Sequence, residues 1–140
     1  LHHLTALLEN ARIIPAVNQV ECHPHLQNVF LQNELHKRGM ILEAYAPLGS
    51  DHIGDLLEDE QLRAIAGAHG KTVPQVVLRW HVQRGGVALP KSVTPSRIEE
   101  NAQIFDFELT DAEMGKIRRL NQAAKHFPEP DNFDFGFPVE

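Results

Sequence analysis

The chain has 140 residues, a net charge of −6 and 42% hydrophobic content, enough apolar surface for one globular core. The acidic balance argues against nucleic acid or an anionic membrane as the main partner, so any basic site must be local. The single cysteine, Cys22, rules out an internal disulfide framework and points to a reducing, cytoplasmic setting; no apolar run reaches membrane-spanning length, and no signal-peptide pattern opens the chain.

Leu1, Leu4, Leu8 and Ala11 follow helical spacing from the first residue, so the sequence is expected to begin inside a structural unit and to continue upstream in the natural protein. The run of Ile13, Ile14, Pro15, Ala16 and Val17 reads as a strand leading into residues 18–21 and ended by His23 and Pro24. A helix follows, with Leu26, Phe30, Leu31 and Leu35 on its inner side and Gly39 as its stop. Residues 40–45 form the next strand, closed by Pro47, Leu48, Gly49 and Ser50. The acidic residues 51–60 read as a loop, and Leu62, Ile65 and Ala66 mark a helix stopped by Gly70. Thr72 caps another, with Pro74 in its first turn, Val73, Val76, Val77 and Trp80 buried, and Gly85 and Gly86 at its end.

Residues 87–101, VALPKSVTPSRIEEN, read as a buried strand, a basic turn and a helix capped at Thr94 with Pro95 at its first position. Ile98, Ala102 and Phe105 would be the buried stripe of that helix, leaving Arg97, Glu100 and Asn101 on a polar one. Arg97 lies in the first turn, where the helix dipole already disfavours a cation unless an anion is near. Lys91, Ser92, Arg97 and the helix N-terminus together make a candidate phosphate site. Thr110 and Glu113 form a capping box for a last helix with Met114, Ile117 and Leu120 inside, and residues 120–140 read as an extended, Pro- and Phe-rich loop.

Strands alternating with helices imply a parallel α/β sheet with crossover helices, its strands apolar on both faces. Three strands leave two edges and one face bare, so either missing strands close the fold or copies associate. In such folds chemistry collects at the C-terminal ends of the strands. His23 and His25 beside Cys22 have no further suitably spaced ligand, so no metal site is expected; His2, His3, His36, His52, His69, His81 and His126 are scattered and read as surface.

At the three strand ends stand NQVECHP (residues 18–24), AYAPLGS (44–50) and LPKSVTPSRIEEN (89–101). In this order and spacing they resemble the C-terminal part of an aldo-keto reductase, over essentially the whole chain. The resemblance implies a (β/α)8 TIM barrel of which residues 1–140 supply about the last three strands, their helices and the C-terminal loop. It also implies NADPH as cofactor and the reduction of aldehydes or ketones, with a small-molecule carbonyl substrate and the N-terminal part of the same barrel needed to close the fold. By similarity, Lys91, Ser92 and Arg97 would hold the 2′-phosphate, Glu100 and Asn101 the adenine, Gln19 the nicotinamide carboxamide, and Tyr45 would stack on the nicotinamide. The backbone at Ala46, Leu48 and Ser50 would meet the pyrophosphate, although many members carry serine at the position of Ala46. The tail phenylalanines Phe127, Phe133, Phe135 and Phe137 would wall the substrate pocket. The family's Asp, Tyr, Lys and His catalytic set has no counterpart here, since the sole tyrosine matches the stacking position. The chain alone is therefore expected to be inactive. The alternatives are a non-catalytic nucleotide-binding or channel-associated subunit of the same fold, or an inactive truncated fragment.

Overall fold

A computed structural model describes residues 2–128 and 131. Helix α1 (His2–Asn10) leads to strand β1 (Val17–Glu21); α2 (Val29–Lys37) crosses to β2 (Ile41–Tyr45). A 3-10 turn (Ser50–His52) and helices α3 (Ile53–Glu58), α4 (Glu60–His69) and α5 (Val73–Gln83) then precede β3 (Val87–Ala88), with α6 (Pro95–Ala102) and α7 (Asp111–Arg118) after it. The strands pair in parallel in the order β1-β2-β3, with Val17 opposite Ile41 and Glu21 opposite Tyr45.

Strand alternation decides what the sheet does with its two faces. Cys22, Leu42 and Ala44 bury against Leu4, Leu35 and Met40 under α1 and α2. The Cys22 thiol is fully enclosed and burial pushes its pKa up, which makes it an inert core group. A second cluster joins α4, α5 and α7 through Leu62, Val76, Trp80 and Ile117. The opposite sheet face carries Gln19, Glu21, Glu43 and Tyr45, and its apolar members Val17, Ile41, Val87 and Leu89 stay exposed. The strands are thus not apolar on both faces, but the bare face expected of three strands is present among the described residues.

Several expectations change. The first strand starts at Val17, because its only neighbour in the described chain pairs from Ile41 onward; Ile13 lies beyond that ladder, 86% exposed. Phe30 is exposed, since Leu26 sits in a bridge with His23 ahead of α2, and only Leu31 and Leu35 share the inward spacing. The acidic segment is helical over Ile53–Glu58, anchored by buried Leu56, with Asp55 in the first turn where the helix dipole favours it. The strand at Val87 is a two-residue edge, not a buried run. Helix α6 ends at Ala102, and Ile98, Ala102 and Phe105 are exposed, Phe105 by 72%. Its polar side instead meets α5, so the apolar stripe points where no described residue covers it. His81 is buried because α5 is enclosed along most of its circumference.

Capping was as expected for α5 and α7: Thr72 with Gln75, and Thr110 with Glu113, form reciprocal boxes. Gly70 ends α4 at φ +60°, a left-handed cap that side-chain-bearing residues resist.

Candidate functional site

Because the three strands are parallel, their C-terminal ends lie at one end of the sheet. Gln19 and Tyr45 project from the same bare face, by the two-residue period of their strands. The Gln19 Nε2 donates to Glu43 Oε1 at 2.6 Å. That bond holds the amide in one orientation and leaves its carbonyl oxygen as an acceptor. Gln19 and Tyr45 line a cavity of about 720 Å³ together with Glu21, Asn18 and Phe127. The Phe127 ring stands edge-on to Tyr45, with centroids 5.4 Å apart and planes at 77°.

The loop after β2 is the most strained backbone at this end. Ala46 (φ +48°), Gly49 (φ +79°) and Ser50 (φ +53°) are all left-handed, which costs roughly 1–2 kcal/mol at each of the two non-glycine positions. The Gly49 N–H closes the turn on the Ala46 carbonyl at 2.9 Å. Two anchors hold this shape. Leu48 packs on the α4–α5–α7 core, and the buried His81 ring donates to the Pro47 carbonyl while its Nε2 has no partner among the described residues. Burial, assisted by the nearby Arg84 cation, drives the His81 pKa down to about 3, so the ring is neutral.

After β3, Lys91 and Arg97 are exposed, and among the described residues no ion pair engages either. Ser92 is half-buried and its Oγ accepts the Thr94 N–H at 3.2 Å. Thr94 occupies the N-cap position of α6 but makes no side-chain cap bond, so the helix start keeps its positive end open. Glu100 is committed: its Oε1 accepts the Thr72 hydroxyl at 2.6 Å and its carbonyl accepts Gln75 Nε2 at 3.1 Å. Asn101 is half-buried in the last turn.

The sequence-derived residues therefore fall into three groups: Gln19 and Tyr45 in the cavity; Ala46, Leu48 and Ser50 in the strained loop; and Lys91, Ser92, Arg97, Glu100 and Asn101 around α6, outside the cavity. Phe133, Phe135 and Phe137 lie outside the described residues. Glu43 and His81 were missed. The two-residue period of β2 puts Glu43 on the face of Tyr45 and could have marked it, whereas its pairing with Gln19 follows from the register of the two strands; nothing local marks His81.

The aldo/keto reductase family model matches residues 1–122. A glyoxal reductase from Bacillus subtilis (strain 168) is 47% identical over 135 residues, covering 96% of this chain and 48% of its own. An aldo-keto reductase from Mycolicibacterium smegmatis is 44% identical over 133 residues, covering 95% and 47%. Among solved structures, an aldo-keto reductase from a Medee basin deep-sea metagenome library superposes with a TM-score of 0.95 at 50% identity, over 96% of this chain and 50% of that one. A mutant of Gox0644, solved in complex with NADPH, superposes at 0.89 with 35% identity, over 96% and 49%. The chain spans about half the length of the curated relatives it matches, and the three parallel strands and seven helices among its described residues are part of the (β/α)8 barrel those structures share. On the family match and these likenesses together, the chain belongs to the aldo/keto reductase family.

Proposed function

We propose that this chain is the cofactor-holding C-terminal portion of an NADPH-dependent reductase of aldehydes or ketones. The observation that carries the reading is the convergence, at one end of a parallel sheet, of an open face bearing Gln19 and Tyr45, a strained loop, and two exposed cations that no ion pair among the described residues engages, at an open helix start. When bound, NADPH supplies the hydride that reduces the carbonyl carbon. Lys91 and Arg97, with the Ser92 hydroxyl and the N-terminus of α6, bind the 2′-phosphate. Gln19, its Nε2 held by Glu43, presents its carbonyl oxygen to the NH2 of the nicotinamide carboxamide. Tyr45 offers a ring face as a stacking platform, and its position is braced by Phe127. The left-handed turns at Ala46 and Ser50 set the backbone beside the pyrophosphate; Ala46 brings no hydroxyl there. Asn101 contacts the adenine, while Glu100 shares that duty only through the oxygen that Thr72 leaves free.

The proton that completes carbonyl reduction has no evident donor in this chain, because Tyr45 is its only tyrosine and serves the platform. The N-terminal part of the barrel supplies the Asp, Tyr, Lys and His set and covers the bare sheet face. Two copies of this chain are a poor substitute, since the three strands described in each make six. The buried Cys22 suits a cytoplasmic setting.

Carbonyl-dependent NADPH oxidation tests the reading. The full-length protein turns over a small aldehyde and the 140-residue chain alone does not. Turnover by the chain alone contradicts the division of labour. A full-length protein that binds NADPH without turnover favours a non-catalytic nucleotide-binding subunit.

A further inference from the structure

The segment after α7 is stitched to the loop between β1 and α2, residue by residue. The His25 carbonyl accepts the N–H groups of Gln122 (2.9 Å) and Ala124 (3.2 Å), and Asn121 Oδ1 accepts the Gln27 N–H at 3.1 Å. The stitch ends on a side chain. Glu21 Oε1 accepts the His126 N–H at 2.8 Å and Oε2 accepts the Phe127 N–H at 3.2 Å, while His23 Nε2 donates to Oε1 from 3.1 Å. Glu21 is only 6% exposed, so three N–H donors converge on one enclosed carboxyl group.

Glu21 is the register partner of Tyr45 and shares its face of the sheet. Fixing Phe127 at Glu21 sets its ring edge-on to Tyr45. His126 lies between the rings of His23 (4.7 Å, 15°) and His52 (4.0 Å, 10°), and His52 belongs to the 3-10 turn that follows the strained loop. One carboxylate thus ties the C-terminal segment to both the ring platform and the loop beside it. Glu21, His23 and His126 are also close enough to suggest a metal, but nearly parallel rings point their lone pairs into separate planes, and the His23 Nε2 is already bonded to the carboxyl group.

The geometry points to Glu21 as a positioning residue that clamps the C-terminal segment over the nicotinamide end of the groove, so that Phe127 braces Tyr45 and the cofactor leaves slowly. This rests on the reading of Tyr45 as the nicotinamide platform. Glu21 touches neither cofactor nor substrate in this role; it acts through the segment it holds.

Two readouts on the full-length protein separate the clamp from that reading. The first is trypsin cleavage after Lys125, followed by the peptide that begins at His126 and compared with cleavage after Lys37 on the exposed side of α2. Glu21→Ala accelerates the Lys125 cut selectively and Glu21→Gln, which keeps one acceptor oxygen, does so less. The second is the NADPH dissociation rate, expected to rise about tenfold in Glu21→Ala and in Phe127→Ala, the scale of losing a charge-assisted hydrogen-bond pair or an aromatic contact. If Glu21→Ala does not fold, Glu21→Gln and Phe127→Ala carry the comparison, since each leaves the β1 packing in place. Unchanged Lys125 cleavage and an unchanged dissociation rate in the folded variants overturn the clamp. A wild-type protein that fails to bind NADPH, yet loses protection at Lys125 in the Glu21 variants, keeps the clamp and removes the cofactor reading.

Discussion

His81 joins helix α5 to the loop after β2, and its chemistry makes that joint sensitive to acid. The folded ring titrates near pH 3, against 6.5 for an unhindered histidine, because burial disfavours the imidazolium. The unfolded chain therefore binds a proton between those values that the folded chain does not. Its stabilising effect is complete above about pH 6.5 and is lost as pH falls, by at most about 1.4 kcal/mol per pH unit. His23, whose pKa burial also lowers, adds in the same direction. Urea unfolding followed from pH 6.5 to 5 should show this slope, and His81→Gln, which keeps a donor for Pro47 but does not titrate, should flatten it by about one proton. An identical slope in the variant would contradict the buried neutral ring. At this scale the two-residue period of β2 is legible in the sequence and puts Glu43 and Tyr45 on one face, but that Gln19 joins them follows from the register of β1 on β2, which the sequence does not carry. His81 read as a surface residue because enclosure of α5 by elements distant in the chain leaves no local mark.

At the scale of elements, helix starts were the most legible feature, and they differ in a way that bears on function. Thr110 accepts the Glu113 N–H and Glu113 Oε2 accepts the Thr110 N–H at 2.8 Å, so α7 is closed by its own side chains. Thr94 holds the same position on α6 with no such bond, and Ser92 has taken the Thr94 N–H instead. Thr110→Ala should cost about 1 kcal/mol in an unfolding titration without ligand, whereas Thr94→Ala should be close to neutral. Equal losses would mean that α6 is capped after all and that its open end is not available to an anion. Helix α3 was missed for a physical reason: six residues give too few turns for a 3.6 period to stand out, and its stability comes from Leu56 in the core. The apolar stripe of α6 was correctly periodic but wrongly assigned to a core, because periodicity identifies a face and not what covers it.

At the scale of the whole molecule, alternating strands and helices sufficed to anticipate a parallel sheet with one bare face, and the structure shows that face with Val17, Ile41, Val87 and Leu89 exposed on it. The barrel of the family relatives explains the exposure, since this chain spans about half their length. Its bare face also carries Gln19 and Tyr45, so the surface that the rest of the barrel is proposed to cover is the surface proposed to hold the nicotinamide. The claim that unites these observations is that Lys91 and Arg97 recognise the 2′-phosphate that distinguishes NADPH from NADH. Dissociation constants for both cofactors, measured on the full-length protein and its Lys91→Met and Arg97→Met variants, test it most directly. Each variant should weaken NADPH by about tenfold or more and leave NADH nearly unchanged, as expected for a charge-assisted contact to a group only NADPH carries. Equal weakening of both cofactors, or of neither, would contradict it.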